Sequence, residues 1–367
     1  MAKRTNTAVW MEKYSRWQIK VQKDGVRKTF YSGTSGRNGQ RECNRKADDW
    51  LDNNLNNVSL KVSDACIEYL NEVRKVTGKG NYRNNEYFIR IYINPCIGNM
   101  KIENLTERHL QNIVNDAYAK GLAKKTLRCL SACIKAILKF CRISKYTTLT
   151  TESLTVPKGA KSCTKTILQP SDLKTLFSQA ETTFNGKTVS DKNVLAYRFQ
   201  VITGLRPGEL IGMKWSDIKG DMLRLQRAIN VLGDITQGKN ENACRTFKLI
   251  PLAKNILEEQ KTLQKESDIE SDYVFSDNYG DPMKETRYYY SWVRYRKHHN
   301  LSEVSLYELR HTFVSMVKSL PEGYLKELVG HSKDMDTYGV YSHAFSDDMS
   351  VTANMVQGII SGVLGDL

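Results

Sequence analysis

Five side chains, far apart along the chain, have chemistries that fit together. Arg206 stands in Thr203-Gly204-Leu205-Arg206-Pro207-Gly208-Glu209-Leu210, and Lys239 follows Gly238 in a polar loop. Arg310 stands in Tyr307-Glu308-Leu309-Arg310-His311-Thr312-Phe313. His331 ends Leu328-Val329-Gly330-His331, and Tyr341 lies in Thr337-Tyr338-Gly339-Val340-Tyr341-Ser342-His343. Proline favours the first turn of a helix, so Pro207 places Arg206 at a helix N-terminus. An arginine there, beside unpaired backbone N–H groups, is suited to clamp a phosphate. Arg310 shares a helical stretch with Leu306, Leu309 and Phe313, so its guanidinium is drawn toward burial and needs a partner. Two guanidinium groups neutralise the two non-bridging oxygens of one phosphodiester. A loop lysine can protonate a leaving oxygen, and a tyrosine can attack phosphorus and hold the energy of the broken bond as an ester. Guanidinium groups supply charge stabilisation without a metal. Singly, each residue has a plain explanation: an ion pair for Arg206, a surface loop for Lys239, a helix cap for His331, and one of 19 tyrosines for Tyr341. The ordered set is what points to phosphoryl chemistry.

The elements that must position these groups fall into three segments. Residues 8–34 read as two short strands, with Trp17, Ile19 and Val21 alternating and a turn at Asp24-Gly25. Residues 32–40 read as loop, and 41–55 as a helix with Ala47, Trp50, Leu51 and Leu55 on one face. Residues 63–76, 82–94, 106–119 and 124–142 read as four helices, with Ser63 and Thr106 as N-caps. Residues 146–165 are rich in Thr, Ser and Lys and read as an extended linker. Beyond it, helices are expected at 194–203, 252–266, 284–298, 305–319, 322–329 and 350–363. Strands are expected at 223–229 and 246–250, flanking the polar loop 233–242. The fold class is multidomain and mainly α: a small β-plus-helix module (1–57), a helical bundle (58–145), the linker (146–165) and a mixed α/β domain with a C-terminal tail (166–367).

The 367 residues carry a net charge of +15, unevenly distributed. Residues 1–57 hold +6, residues 58–164 hold +10 and residues 165–367 hold −1. The first two segments therefore suit a polyanion such as nucleic acid. Lys124, Lys125, Arg128, Lys135, Lys139 and Arg142 recur at helical spacing and stripe one helix face as DNA-binding candidates. No apolar run is long enough to cross a membrane, and no apolar leader is present at the N-terminus, which points to the cytoplasm. Eight cysteines without a CxxC pair read as reduced, mostly small buried residues, with no metal site. The tail pattern Met349, Val351, Met355, Ile359, Ile360, Val363 and Leu364 fits self-packing or docking on a neighbouring protomer.

On GLRPGEL, LRHTF, LVGH and the T-x-x-x-Y-x-H ending, the sequence resembles the tyrosine recombinase (phage integrase) family, and within it the integrases of conjugative transposons and prophages. The likeness spans nearly the whole chain. It implies an arm-type DNA-binding module, a core-binding helical domain and a catalytic domain. It further implies that Arg206 and Arg310 clamp the scissile phosphate and that Lys239 is the general acid. His331 contacts the phosphate or assists the nucleophile, Tyr341 is the nucleophile, and Glu209 orients the arginines. Tyr341 is preferred to Tyr338 because Ser342-His343 follows it and because it lies ten residues after His331. One departure is Tyr307, which stands where the family usually has histidine; a phenol is a poorer base near neutral pH. The implied partners are double-stranded DNA at core and arm sites, a homotetramer on DNA and a directionality factor, with no cofactor, no membrane and a place at the bacterial nucleoid. The implied reaction integrates and excises a mobile element through a 3′-phosphotyrosine and a Holliday junction. A chromosome-dimer resolvase, a type IB topoisomerase-like enzyme and an inactive DNA-binding relative remain as alternatives.

Overall fold

The computed structural model describes residues 4–23, 25–52, 60–151, 153–162, 165–237, 244–330 and 348–365. The chain divides into two compact units, Met1–Cys163 and Thr164–Leu367. No helix among the described residues is long and apolar enough to cross a membrane.

The first unit begins with an antiparallel sheet, β1 (Val9–Met11), β2 (Arg16–Lys23) and β3 (Val26–Ser32), followed by α1 (Gly36–Asp52). Alternation along β2 turns Ile19 and Val21 inward against Ala8, Cys43, Ala47 and Leu51. Helix α1 starts within the stretch read as loop, because Gly36 adopts φ +74° and opens the turn there.

A helical bundle follows: α2 (Val62–Val76), α3 (Lys79–Phe88), a π-helical turn (Ile89–Ile93), α4 (Asn94–Ile97), α5 (Glu107–Ala119) and α6 (Lys124–Ile143). The expected helix 82–94 is longer and interrupted. Pro95 lacks the N–H that would continue the regular ladder, and the chain widens just before it. Thr106 caps α5 through a capping box with His109. Ser63 does not cap α2: Lys61 holds that position, and the N–H groups of Val62 and Ser63 donate to the carbonyls of Met100 and Gly98 instead. The stretch read as linker packs along the bundle as far as residue 162. Leu154 and Ala160 are buried in the bundle core, and Tyr146, Leu149 and Val156 rest against it. The Tyr146 hydroxyl donates to Glu68 at 2.7 Å, and Thr155 and Gln111 exchange two hydrogen bonds.

The second unit is built around α8 (Val194–Thr203), every residue of which is buried except Arg198. A helix apolar on all sides must be enclosed. It is enclosed here by α7 (Pro170–Ser178), α10 (Pro251–Glu266), α11 (Glu285–His298) and α12 (Leu306–Met316). Tyr197 of α8 stacks on Tyr288 and meets Trp292 edge-on. Between α7 and α8 lies a hairpin absent from the sequence reading, β4 (Glu181–Phe184) and β5 (Lys187–Ser190). After α9 (Pro207–Ile211), strands β6 (Ile218–Lys219), β7 (Met222–Leu225), β8 (Ala228–Ile229), β9 (Ile235–Thr236) and β10 (Arg245–Lys248) follow. The expected strand 223–229 breaks at Gln226-Arg227, where both side chains turn to the buried Asp217. Thus β7 pairs with β6 and β10, while β8 and β9 form their own hairpin. The last helices are α13 (Glu322–Val329) and α14 (Asp348–Leu364). In α14, Ala353, Val356, Ile360 and Leu364 are buried in this unit's own core, so the tail self-packs, with Val351 and Met355 exposed.

Gly204 ends α8 with φ +65°, and a Cβ there would lie 2.3 Å from the Phe313 ring of α12. Gly204→Ala is therefore expected to destabilise the protein by about 2–4 kcal/mol, through left-handed backbone strain and overpacking. Urea unfolding followed by fluorescence measures it; an unchanged midpoint would show that this helix junction relaxes freely.

Candidate active site

The site is organised by the junction between α8 and α9. The fully buried Gln200 donates through Nε2 to the carbonyls of Leu205 (3.2 Å) and Leu306 (3.0 Å), and its Oε1 accepts from the Tyr288 hydroxyl (2.8 Å). This one amide fixes the chain entering Arg206 relative to the start of α12, which carries Arg310. Arg206 is the N-cap of α9, with Pro207 at the first helical position. Glu209, three residues on, accepts from the Arg206 backbone N–H at 3.0 Å and from its Nη1 at 2.6 Å. The local sequence R-P-G-E thus builds the reach-back half of a capping box, in which the N3 carboxylate accepts from the N-cap N–H while the capping residue itself carries the functional charge.

Arg310 is only 2% exposed. Its Nη1 donates to the Gly204 carbonyl at 2.8 Å, and its Nη2 donates to the Val329 carbonyl. Its expected partner is therefore the backbone. Burial, followed by the positive charge of Arg206, pulls its pKa down to about 10. Arg206 donates through Nη2 to the Gly330 carbonyl at 3.2 Å. A third arginine completes the group. Arg245, first residue of β10, donates through Nε to the Leu328 carbonyl at 2.9 Å and forks onto Glu209 at 3.1 and 3.0 Å. Three successive carbonyls at the end of α13 thus each receive one guanidinium group. Those are the carbonyls a helix terminus leaves unpaired, at the negative end of its dipole. Burial pushes the Glu209 carboxyl upward, but the hydrogen bond and charge of Arg245, together with Arg206, outweigh it and hold the pKa below the ordinary value.

The structure therefore brings together Arg206, Glu209 and Arg310, as anticipated, and adds Arg245. Tyr307 lies in the first turn of α12, 43% exposed, its ring edge-on to His311 at 5.2 Å. Burial and the nearby Lys165 lower the His311 pKa. Lys239, His331, Tyr338 and Tyr341 lie outside the described residues. On α6, Lys125, Arg128, Lys135, Lys139 and Arg142 are exposed and Lys124 is half-buried. They lie opposite the face formed by Leu127, Leu130, Ile134, Ile137 and Cys141. Of the cysteines, Cys43, Cys66, Cys133 and Cys141 are buried, whereas Cys96, Cys129 and Cys244 are exposed.

Residues 166–347 match the phage integrase family, and residues 61–118 match the phage integrase N-terminal SAM-like domain. The chain belongs to the tyrosine recombinase (phage integrase) family. The recombinase is 24% identical over 394 residues to the tyrosine recombinase XerC-like protein of Caldanaerobacter subterraneus subsp. tengcongensis, covering 94% of this chain and 95% of that one. It is 22% identical to the ICEBs1 integrase of Bacillus subtilis, covering 78% and 80%. Its fold is similar to that of the Tn1549 transposon integrase in complex with transposon right end DNA, with a TM-score of 0.64, 19% identity and coverage of 80% and 99%. A lambda integrase tetramer bound to a Holliday junction gives 0.61, 16%, 91% and 98%. Among the described residues of the recombinase, two guanidinium groups bind one carboxylate and a third, Arg310, lies within its electrostatic reach, an excess of positive charge held in place by backbone carbonyls. Such a fixed cationic cluster stabilises an anion without reorganising.

Proposed function

We propose that this recombinase cuts and rejoins double-stranded DNA at specific sites to integrate and excise a mobile element. The observation that carries this reading is the convergence of Arg206 and Arg310 on adjacent carbonyls at the end of α13. There the two guanidinium groups take the two non-bridging oxygens of the scissile phosphate. The phenolic oxygen of Tyr341 attacks phosphorus as the bond to the 5′-oxygen breaks. Lys239 protonates that leaving oxygen, and His331 contacts the phosphate or assists the nucleophile. A 3′-phosphotyrosine and a free 5′-hydroxyl result, and attack by a 5′-hydroxyl from the exchanged strand reverses the step. The ester conserves the bond energy, so no cofactor is consumed. Two protomers of a tetramer cut one strand pair, a Holliday junction forms, and the second pair follows. The integrase names of the relatives, and the lambda tetramer bound to a Holliday junction, support this assembly.

Binding to the duplex falls to the α6 stripe, whose phosphate contacts set register. The N-terminal module binds a second class of DNA site. The sheet face away from its core carries Arg16, Gln18, Lys20, Gln22, Arg27, Thr29 and Tyr31, a polar ribbon of a kind the major groove admits.

The test is a duplex selected by the protein from a random pool and nicked just 3′ of the cleavage position. Wild-type protein is expected to give an adduct that resists denaturation, is removed by protease and leaves a free 5′-hydroxyl. Its affinity is expected to fall about 10³-fold between 50 and 200 mM salt, as about six phosphate contacts require. Relaxation of plasmids without site preference would instead establish the topoisomerase alternative.

A further inference from the structure

We propose that Arg245 is a positioning residue for strand cleavage, which neutralises Glu209 so that Arg206 and Arg310 present their charge undiminished to the scissile phosphate. This rests on the recombinase reading and adds a residue to it. Glu209 is 2% exposed and shares an oxygen with the Arg206 guanidinium at 2.6 Å. Alone with Arg206, that carboxylate would cancel the charge that the clamp offers and would itself repel the incoming anion. Arg245 occupies both of its oxygens in the two-pronged geometry that makes arginine–carboxylate pairs strong. The Arg245 side chain is 6% exposed and the Arg206 side chain 26%, so DNA reaches Arg206 while Arg245 acts through Glu209. Among the described residues, Arg245 brings the cluster to three positive charges against one negative, an excess of two. The phosphodiester brings one negative charge in the ground state, and the crowded phosphorus of the transition state brings more. The second positive charge therefore acts on cleavage more than on binding. Arg245 also ties Glu209 to the end of α13 through the Leu328 carbonyl.

The experiment compares Arg245→Gln, Glu209→Gln and the double variant in adduct formation on the nicked duplex and in binding of the intact duplex. Arg245→Gln is expected to slow cleavage about 100-fold while DNA affinity stays within about twofold, since affinity comes from many phosphates. The double variant loses the uncompensated carboxylate and is expected to cleave about tenfold faster than Arg245→Gln alone. Arg245→Lys keeps the charge without the fork and is expected to fall between wild type and Arg245→Gln. In Arg245→Gln, burial continues to push the Glu209 carboxyl up without its main opposing partner. Lowering the pH through that raised pKa protonates it, so the defect should shrink toward acid. A merely structural role predicts the opposite pattern: the double variant as slow as Arg245→Gln or slower, with affinity falling in step with cleavage, and either result overturns the proposal. A wild-type protein that forms no adduct at all fails the recombinase reading itself, a separate outcome.

Discussion

A chain carrying Tyr341→Phe is expected to bind its DNA site with wild-type affinity and to form no covalent adduct with it. The substitution removes one oxygen atom, and in the proposed mechanism that oxygen is the one that becomes the ester. Other donors in the site polarise the phosphate but cannot replace the nucleophile, so adduct yield should fall by at least about 10⁴-fold. Affinity should be indifferent, because it sums many phosphate contacts along the duplex rather than one phenol. The necessary control is Tyr338→Phe, three residues earlier, which is expected to retain the adduct. The choice between them rests on the family resemblance: Tyr341 lies ten residues after His331 and is followed by Ser342-His343, as in the family's ending. A denaturing gel of both variants on the nicked duplex decides it. An adduct surviving in Tyr341→Phe and lost in Tyr338→Phe would move the nucleophile to position 338.

Periodicity made the helices of the second unit legible because α8, α10 and α11 each bury a continuous face in the one core of that unit. The expected 194–203 matches α8, and 322–329 matches α13. The need of Arg310 for a partner was also legible, since Leu306, Leu309 and Phe313 draw its turn of helix inward. The nature of that partner was not. Backbone carbonyls carry no side-chain signature, so nothing in Leu328-Val329-Gly330 announces that each will receive an arginine. Arg245 was invisible for a related reason. It opens a four-residue strand, and its partner Glu209 lies 36 residues away, a pairing that exists only after folding. The hairpin at 181–190 did have a signal, the Asn185-Gly186 pair with both residues at positive φ, between strands that had too little apolar content to stand out. The packed stretch 146–162 was masked by composition. Its apolar anchors Tyr146, Leu149, Leu154, Val156 and Ala160 follow neither a helical nor a strand period, yet they still close the bundle.

Replacing Arg310 by leucine is expected to abolish cleavage while leaving the protein folded, and the two halves of that result have different origins. A buried guanidinium is costly: burial and the neighbouring Arg206 pull its pKa down to about 10, so at neutral pH the group stays charged but carries that charge less favourably in the folded state than in the unfolded chain. Removing the charge relieves this cost. Against it, the carbonyls of Gly204 and Val329 lose their donors, at about 1–3 kcal/mol each where water cannot reach them. The two effects oppose, and an apolar side chain of similar bulk fills much of the space. A net change of about 1 kcal/mol would move Tm by about 2–4 °C in a unit of this size. Nothing offsets the loss at the phosphate. In the proposed mechanism one of two guanidinium groups facing the non-bridging oxygens disappears, and comparable arginines in phosphoryl transfer are worth about 10³-fold or more. Arg310→Lys should fare little better, because a single ammonium cannot bridge two carbonyls and still face a phosphate. Calorimetry and the adduct assay on the same preparations read both halves. Cleavage within tenfold of wild type in Arg310→Leu would remove Arg310 from the phosphate, and a collapse of Tm with no folded protein would make it a structural residue instead.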